Sequence, residues 1–182
     1  ACPEGEALEL VLEAKRPKAF LLENVRNLVS HDKGRTFEVI RKVLSEDLGY
    51  TIEWRVMDAS PWVPQGRKRI IIIGLDHDQA FNFDDVVTPE SAPTMSEVLH
   101  PEDGSESPEA HYTVGELAKV DSRYTLTPNL WAYLQNYKAK HQSAGNGFGY
   151  GLVGPGDVAR TLSARYYKDG SEVLVSRGKR AR

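Results

Sequence analysis

Apolar residues recur at helical spacing near the start of the chain. From Gly5 to Lys15, Leu8, Val11 and Leu12 mark one face, and Pro17 stops the pattern. The run Ala19-Phe20-Leu21-Leu22 is short and continuous, which predicts a buried strand. Arg35 to Leu48 predicts a second helix, with Phe37, Ile40, Leu44 and Leu48 on one face and Gly49 as its C-terminal stop. Tyr50 to Met57 alternates as a strand does, and Ile70-Ile71-Ile72-Ile73 predicts another buried strand. Strand, helix, strand, strand over so short a span is the order of half a doubly wound α/β sheet.

After Asp76 the pattern changes. Residues 84–123 carry Pro89, Pro93, Pro101 and Pro108 among acids and serines, the composition of a linker or an irregular insert. Thr127 then stands as an N-cap before Pro128, opening a helix through about Lys140 with Leu130, Trp131, Leu134 and Tyr137 as its stripe. A glycine-rich stretch, Gly145 to Gly151, precedes two strand-like runs joined across Lys168-Asp169-Gly170, a hairpin signal. No internal repeat or low-complexity tract interrupts this order. The expected division is therefore 1–83 for the α/β part, 84–123 for the acidic insert and 124–182 for a small, β-rich, glycine-rich lobe.

A chain of 182 residues suffices for one domain or a domain with a small lobe. Hydrophobic residues at 40% and charged residues at 27% are ordinary for a globular protein. The longest apolar stretch, Ile70 to Leu75, is too short to span a bilayer, and no signal-peptide pattern opens the chain, so a cytoplasmic protein is expected. The single cysteine, Cys2, excludes an internal disulfide and a Cys-rich zinc module. His31, His77, His100, His111 and His141 show no metal-ligand spacing. The net charge of −3 conceals segregation: residues 1–75 balance at +1, residues 76–122 at −11 and residues 123–182 at +7. A basic final segment suggests a polyanion-binding surface, although charge alone favours a solvated charged face.

Two clusters could carry chemistry. Glu23 follows the apolar strand, where ligands of open α/β sheets sit, and could orient a ligand or manage a proton; it could also merely cap a turn. In Gln65-Gly66-Arg67-Lys68-Arg69 an extended backbone would place both arginines on one face, suited to phosphate or to the acceptor edge of a base. The plain alternative is a basic strand start. A Gly-x-Gly-x-x-Gly match, Gly149 to Gly154, lacks a clear preceding strand and meets Pro155-Gly156 where a helix should begin, so it does not read as a nucleotide loop.

Together these residues resemble a known family. Lys18-Ala19-Phe20-Leu21-Leu22-Glu23-Asn24-Val25-Arg26-Asn27-Leu28 resembles the Glu-Asn-Val region of DNA (cytosine-5) methyltransferases, and Gln65 to Arg69 their Gln-x-Arg-x-Arg motif. Tyr124 to Pro128, Gly145 to Gly151 and Arg160-Thr161-Leu162-Ser163-Ala164-Arg165-Tyr166-Tyr167-Lys168-Asp169-Gly170 resemble the target-recognition domain of bacterial methylases acting on CC…GG sites. The resemblance implies a partial Rossmann-like methyltransferase sheet plus a small β-rich target-recognition lobe. It implies S-adenosylmethionine as cofactor, double-stranded DNA as partner, no membrane, and a restriction-modification setting with a cognate endonuclease. By the same resemblance Glu23, Arg67 and Arg69 are catalytic, and Asn24 and Gln65 hold the site's loops. Arg160, Thr161, Leu162, Ser163, Arg165 and Lys168 then contact or support DNA.

Departures from the family bear on activity. The cofactor's glycine loop does not precede Glu23, and the family's Pro-Cys-Gln nucleophile is not matched by Cys2, which is followed by Pro3 and lies too near Glu23. The family's downstream Arg-x-Leu-Thr-x-Arg-Glu helix and final Gly-Asn turn are not matched either. The expectation is the middle of an enzyme, inactive by itself. The competing expectations are a non-catalytic DNA-binding half of a split methyltransferase and an unrelated soluble α/β domain.

Overall fold

The isoleucine run is the centre of a three-stranded sheet. The computed structural model describes residues 3–76, 80–146, 149–162 and 173–178. Strand β1 (Ala19–Val25) and strand β2 (Thr51–Asp58) both pair antiparallel with strand β4 (Lys68–Leu75), which lies between them. Strands β1 and β2 therefore run parallel to each other, joined by a crossover through helix α2 (Arg35–Lys42), and β4 occupies the slot between them. This βαβ crossover agrees with the expected doubly wound order, while the pairing of neighbours is antiparallel throughout.

Alternation decides which isoleucines are core. Ile70 and Ile72 are buried, whereas Ile71 and Ile73 on the opposite face are half-buried. The register sets Leu22, Ile72 and Trp54 side by side on the core face, and Phe20, Gly74 and Ile52 next to them. Against this face lie Phe37, Leu44 and Leu48, with Leu12 from helix α1 (Pro3–Lys15). Phe37 meets Trp54 edge-on at 4.8 Å, and Phe20 meets Tyr50 at 4.9 Å. Gly74 is required by that packing, because a Cβ there would fall 2.2 Å from the Phe20 ring.

Three expectations need correction in this unit. Ala19-Phe20-Leu21-Leu22 is not a buried strand: β1 pairs only with β4 among the described residues, and Leu21 is 62% exposed. The helix expected over Arg35 to Leu48 is α-helical only to Lys42 and continues as a π turn over Val43–Asp47 before Gly49, whose φ is +71°. In α1, Leu12 is buried but Val11 is 56% exposed, so only one part of the predicted stripe meets the core.

Two compact units divide the chain: residues 1–59 with 67–89, and residues 60–66 with 90–182. The acidic stretch is thus not one separate piece, since residues 84–89 group with the first unit and residues 90–123 with the second. From Glu90 onward it is hydrogen-bonded in place. The Met95 and Ser96 N–H groups donate to the Asp157 and Pro155 carbonyls, and the Val120 N–H donates to Glu102. The side chain of Arg177 donates to the His100 carbonyl. Strands β5 (Thr113–Val114) and β6 (Lys119–Val120) form a small hairpin there.

Helix α3 (Pro128–Ser143) begins as expected, with the Thr127 hydroxyl accepting the Leu130 N–H at 3.2 Å. Of its predicted stripe only Leu134 is buried, while Trp131 and Tyr137 are half-buried and Leu130 is exposed. The remaining strands are short. β3 (Gln65–Gly66) pairs in parallel with β8 (Ala159–Arg160), and β7 (Gly151–Val153) with β9 (Val173–Val175). The hairpin expected across Lys168-Asp169-Gly170 lies outside the described residues, as does Cys2.

Candidate active site

In β1, Glu23 stands directly opposite Ile71 of β4, and Val25 opposite Arg69. Glu23 and Arg69 are therefore diagonal neighbours on one face of the sheet, within reach of long side chains. The Nε of Arg69 lies 2.7 Å from Glu23 Oε1, and Nη2 of Arg67 lies 3.9 Å from the same oxygen. Arg69 also donates through Nη1 to the Lys68 carbonyl at 2.9 Å. That hydrogen bond restrains the guanidinium, which meets the carboxylate through Nε alone. The period of two that placed both arginines on one face holds, although Arg67 immediately precedes the strand. Glu23 lies within the strand, two residues before its end.

Exposure separates a structural pair from a working one. The side chains of Glu23 and Arg69 are 46% and 20% exposed, and ion pairs this open contribute about 0–1 kcal/mol to stability. What the arrangement provides is a carboxylate held in one orientation, accessible to solvent, beside two cations. Such a group can accept a hydrogen bond from a ring N–H or amine and stabilise positive charge developing there. Asn24 is used locally, its Oδ1 accepting the Val25 N–H at 2.8 Å.

The same sheet face carries Arg55 and Met57, which sequence reasoning passed over. Arg55 is paired with Asp84 at 2.8 Å and lies over the Phe83 ring. Its period-two alternation with Met57 was the signal available. An open groove of about 570 Å³, lined by Val29, Phe37, Val39 and Trp54 among others, lies against Trp54 on the opposite sheet face from Glu23.

In the second unit Gln65 and Gly66 pair with Ala159 and Arg160, and the Thr161 hydroxyl donates to the Gly66 carbonyl. The Gln-Gly start of the arginine motif is thereby pinned to the strand that leads into Thr161 and Leu162. Arg160 donates through Nη2 to the Gly149 carbonyl at 3.2 Å, and Leu162 is 44% exposed. Ser163, Arg165 and Lys168 lie outside the described residues. The glycine-rich match does not form a strand–turn–helix: Gly151–Val153 is a strand, and the Gly154 N–H closes a turn onto Asp157 Oδ2 at 2.7 Å. That geometry does not fit the pyrophosphate- or methionine-cradling loop of a dinucleotide-type site. Among the described residues no group of three or more His, Cys, Asp or Glu is placed to hold a metal ion, and no helix is long and apolar enough to cross a membrane.

The family model for C-5 cytosine-specific DNA methylase matches residues 7–181, nearly the whole chain. The chain belongs to that family. It is 39% identical over 186 aligned residues to a DNA-cytosine methyltransferase of Escherichia coli K12, covering 92% of this chain and 36% of that protein. It is 40% identical over 169 residues to the type II methyltransferase M.SsoII of Shigella sonnei, covering 91% and 40%. The chain thus spans about two fifths of the length of these relatives. Among solved structures, the fold is similar to the Dnmt2 methyltransferase of S. pombe, with a TM-score of 0.51 and 18% identity over 83% of this chain and 40% of that one. It is also similar to the Entamoeba histolytica methyltransferase EhMeth, with a TM-score of 0.54 and 15% identity over 91% and 43%. The architecture is accordingly mixed α/β, a partial Rossmann-like methyltransferase sheet with small accessory sheets.

Proposed function

We propose that these residues form the base-binding and target-recognition part of a DNA cytosine-5 methyltransferase. The observation that carries this reading is the Glu23 carboxylate, held 2.7 Å from Arg69 on an open sheet face within a chain of the cytosine methylase family. The target cytosine leaves the duplex and enters the site. Glu23 bonds its N3 and exocyclic amine and shares a proton with N3, so that the electron pair entering the ring as a thiolate adds at C6 is taken up at a protonated N3. Arg69 contacts the base oxygen or the nearby phosphate and Arg67 the phosphate backbone, while Asn24 and Gln65 hold the adjoining loops. The methyl donor is S-adenosylmethionine, as in methyltransferases generally. Gly149 to Gly154, with a strand at Gly151–Val153 and a turn closed onto Asp157, do not form a loop that would hold it.

Residues 1–83 act in this reading as the later half of the catalytic domain and residues 124–182 as the target-recognition domain, with the acidic insert 84–123 between them in sequence. Arg160, Ser163, Arg165 and Lys168 read bases or grip phosphates, since arginine pairs with guanine in a CC…GG site, while Thr161 and Leu162 support the recognition domain near the flipped nucleotide. The balance of +7 over residues 123–182 supports duplex DNA as the partner. A restriction-modification setting with a cognate endonuclease belongs to the same reading, and the similarity to type II methyltransferases supports it.

The test is the chemical product. An intact methyltransferase carrying these residues is incubated with S-adenosylmethionine and duplexes with or without a CC…GG site, and the digested nucleosides are separated by mass spectrometry. 5-Methyldeoxycytidine arising only from the site-bearing duplex is the expected result. A methyl group on N4 of cytosine or N6 of adenine overturns the reaction, and equal methylation of both duplexes overturns the site.

A further inference from the structure

We propose that Asp58 is the positioning residue that sets Arg67 for the Glu23–Arg67–Arg69 cluster, a role that rests on the methyl-transfer reading above. Asp58 is the last residue of β2 and stands opposite Lys68, the first of β4. Its Oδ1 accepts the Arg67 N–H at 3.0 Å, while the Ala59 N–H donates to the Arg67 carbonyl at 3.1 Å. Both backbone polar groups of Arg67 are thus taken by the end of β2.

The need for this arrangement comes from the topology. The chain leaves the first unit after Ala59 and returns to it at Arg67. The β1–β4 ladder ends at the Val25–Arg69 pair, so β1 supplies no rung for Arg67. The β2–β4 ladder ends at Asp58–Lys68, and the backbone beyond Ala59 is no longer alongside. The Asp58 carboxylate takes the place of the missing carbonyl. Without that acceptor the Arg67 backbone would be held through its carbonyl alone, which loosens the direction of the Cβ and of the guanidinium now 3.9 Å from Glu23. The Lys68 ammonium, 4.0 Å from Oδ2 with both side chains partly exposed, adds little.

What matters in this account is the position of one oxygen, not the charge. Asp58→Asn keeps an acceptor oxygen where Oδ1 stands, whereas Asp58→Glu keeps the charge but moves the oxygen by a methylene. Single-turnover methylation, KM for DNA and melting temperature are measured for Asp58→Asn, Asp58→Glu and Asp58→Ala in an intact methyltransferase carrying these residues. Misplacement on the 1 Å scale costs up to about a hundredfold in rate. The expected result is a loss of about tenfold or more for Glu and Ala, and a rate within about threefold of wild type for Asn. The Arg67 amide of the 182-residue chain should exchange faster in the Glu and Ala variants and be unchanged in Asn. Full activity in the Glu variant with loss in the Asn variant would show that charge matters and overturn the proposal, as would unchanged Arg67 exchange in the Ala variant. Glu23→Gln is the control. If that change leaves methylation intact, the methyl-transfer reading fails, while the exchange of the Arg67 amide still decides whether Asp58 holds Arg67.

Discussion

The two units differ in how they hold their polar residues. The first sets Glu23 and Arg69 on strands of seven and eight residues over a continuous core of Leu12, Phe37, Leu44, Leu48, Tyr50, Ile70 and Ile72. The second holds Arg160 and Thr161 on or beside strands of two or three residues, with buried apolar residues scattered as Ala118, Leu134, Val153 and Ala159. Long strands fix a carboxylate to within a fraction of an ångström, which proton sharing with a base requires. Short strands and glycine-rich turns cost less to reshape, and recognition surfaces are commonly built that way. The contrast fits the proposed reading, in which the first unit carries chemistry and the second carries target choice.

The largest effect that would break this contrast is on stability. Ile70 is completely buried in the sheet, so Ile70→Ala should cost about 2–5 kcal/mol. Val153→Ala in the second unit should cost only about 1–2 kcal/mol, for the two methyl groups removed. Urea unfolding of both variants makes the comparison, and equal losses would show that the second unit is as firmly cored as the first. A smaller effect concerns DNA. Arg160→Ala should lower the slope of log affinity against log salt by about 1, and Lys15→Ala in the first unit should leave it unchanged. Equal changes would remove the second unit's claim to the DNA backbone. Smallest is the cap of α3: Thr127→Ala should cost about 1 kcal/mol, read as a lower melting temperature by circular dichroism.

Much of this contrast was legible in the sequence, for identifiable reasons. The isoleucine run announced its strand because four consecutive β-branched residues have few other uses. A continuous run does not reveal which residues face the core, nor that the strand lies antiparallel between two parallel neighbours. Those facts depend on pairing with residues 44 to 56 positions earlier for β1 and 10 to 24 earlier for β2. Helix α2 was legible from Phe37, Ile40 and Leu44, but its change to a π turn at Val43 left no mark in the pattern. Thr127-Pro128 located the start of α3 because capping is local chemistry. Its stripe was over-read, since helical spacing identifies a face without saying what covers it. At the candidate site, the motifs single out Glu23, Arg67 and Arg69, and the diagonal approach of Glu23 and Arg69 emerges only from the register. Asp58 was missed because it acts on a backbone N–H nine residues away, a contact to which side-chain spacing is blind. The acidic stretch read as an insert because its hydrogen bonds run to residues 155–157 and 177, far along the chain.

The central claim is that Glu23 serves chemistry and not architecture, and one variant tests it most directly. Glu23→Gln keeps the length of the side chain and removes the carboxylate that, in the proposed reading, shares a proton with the cytosine. In an intact methyltransferase carrying these residues, single-turnover methylation should fall by about a hundred- to a thousandfold. Duplex affinity should be retained, and stability should change by less than about 1 kcal/mol because the pair with Arg69 is partly exposed. A Glu23→Gln protein that melts at a lower temperature yet methylates at the full rate would contradict the account.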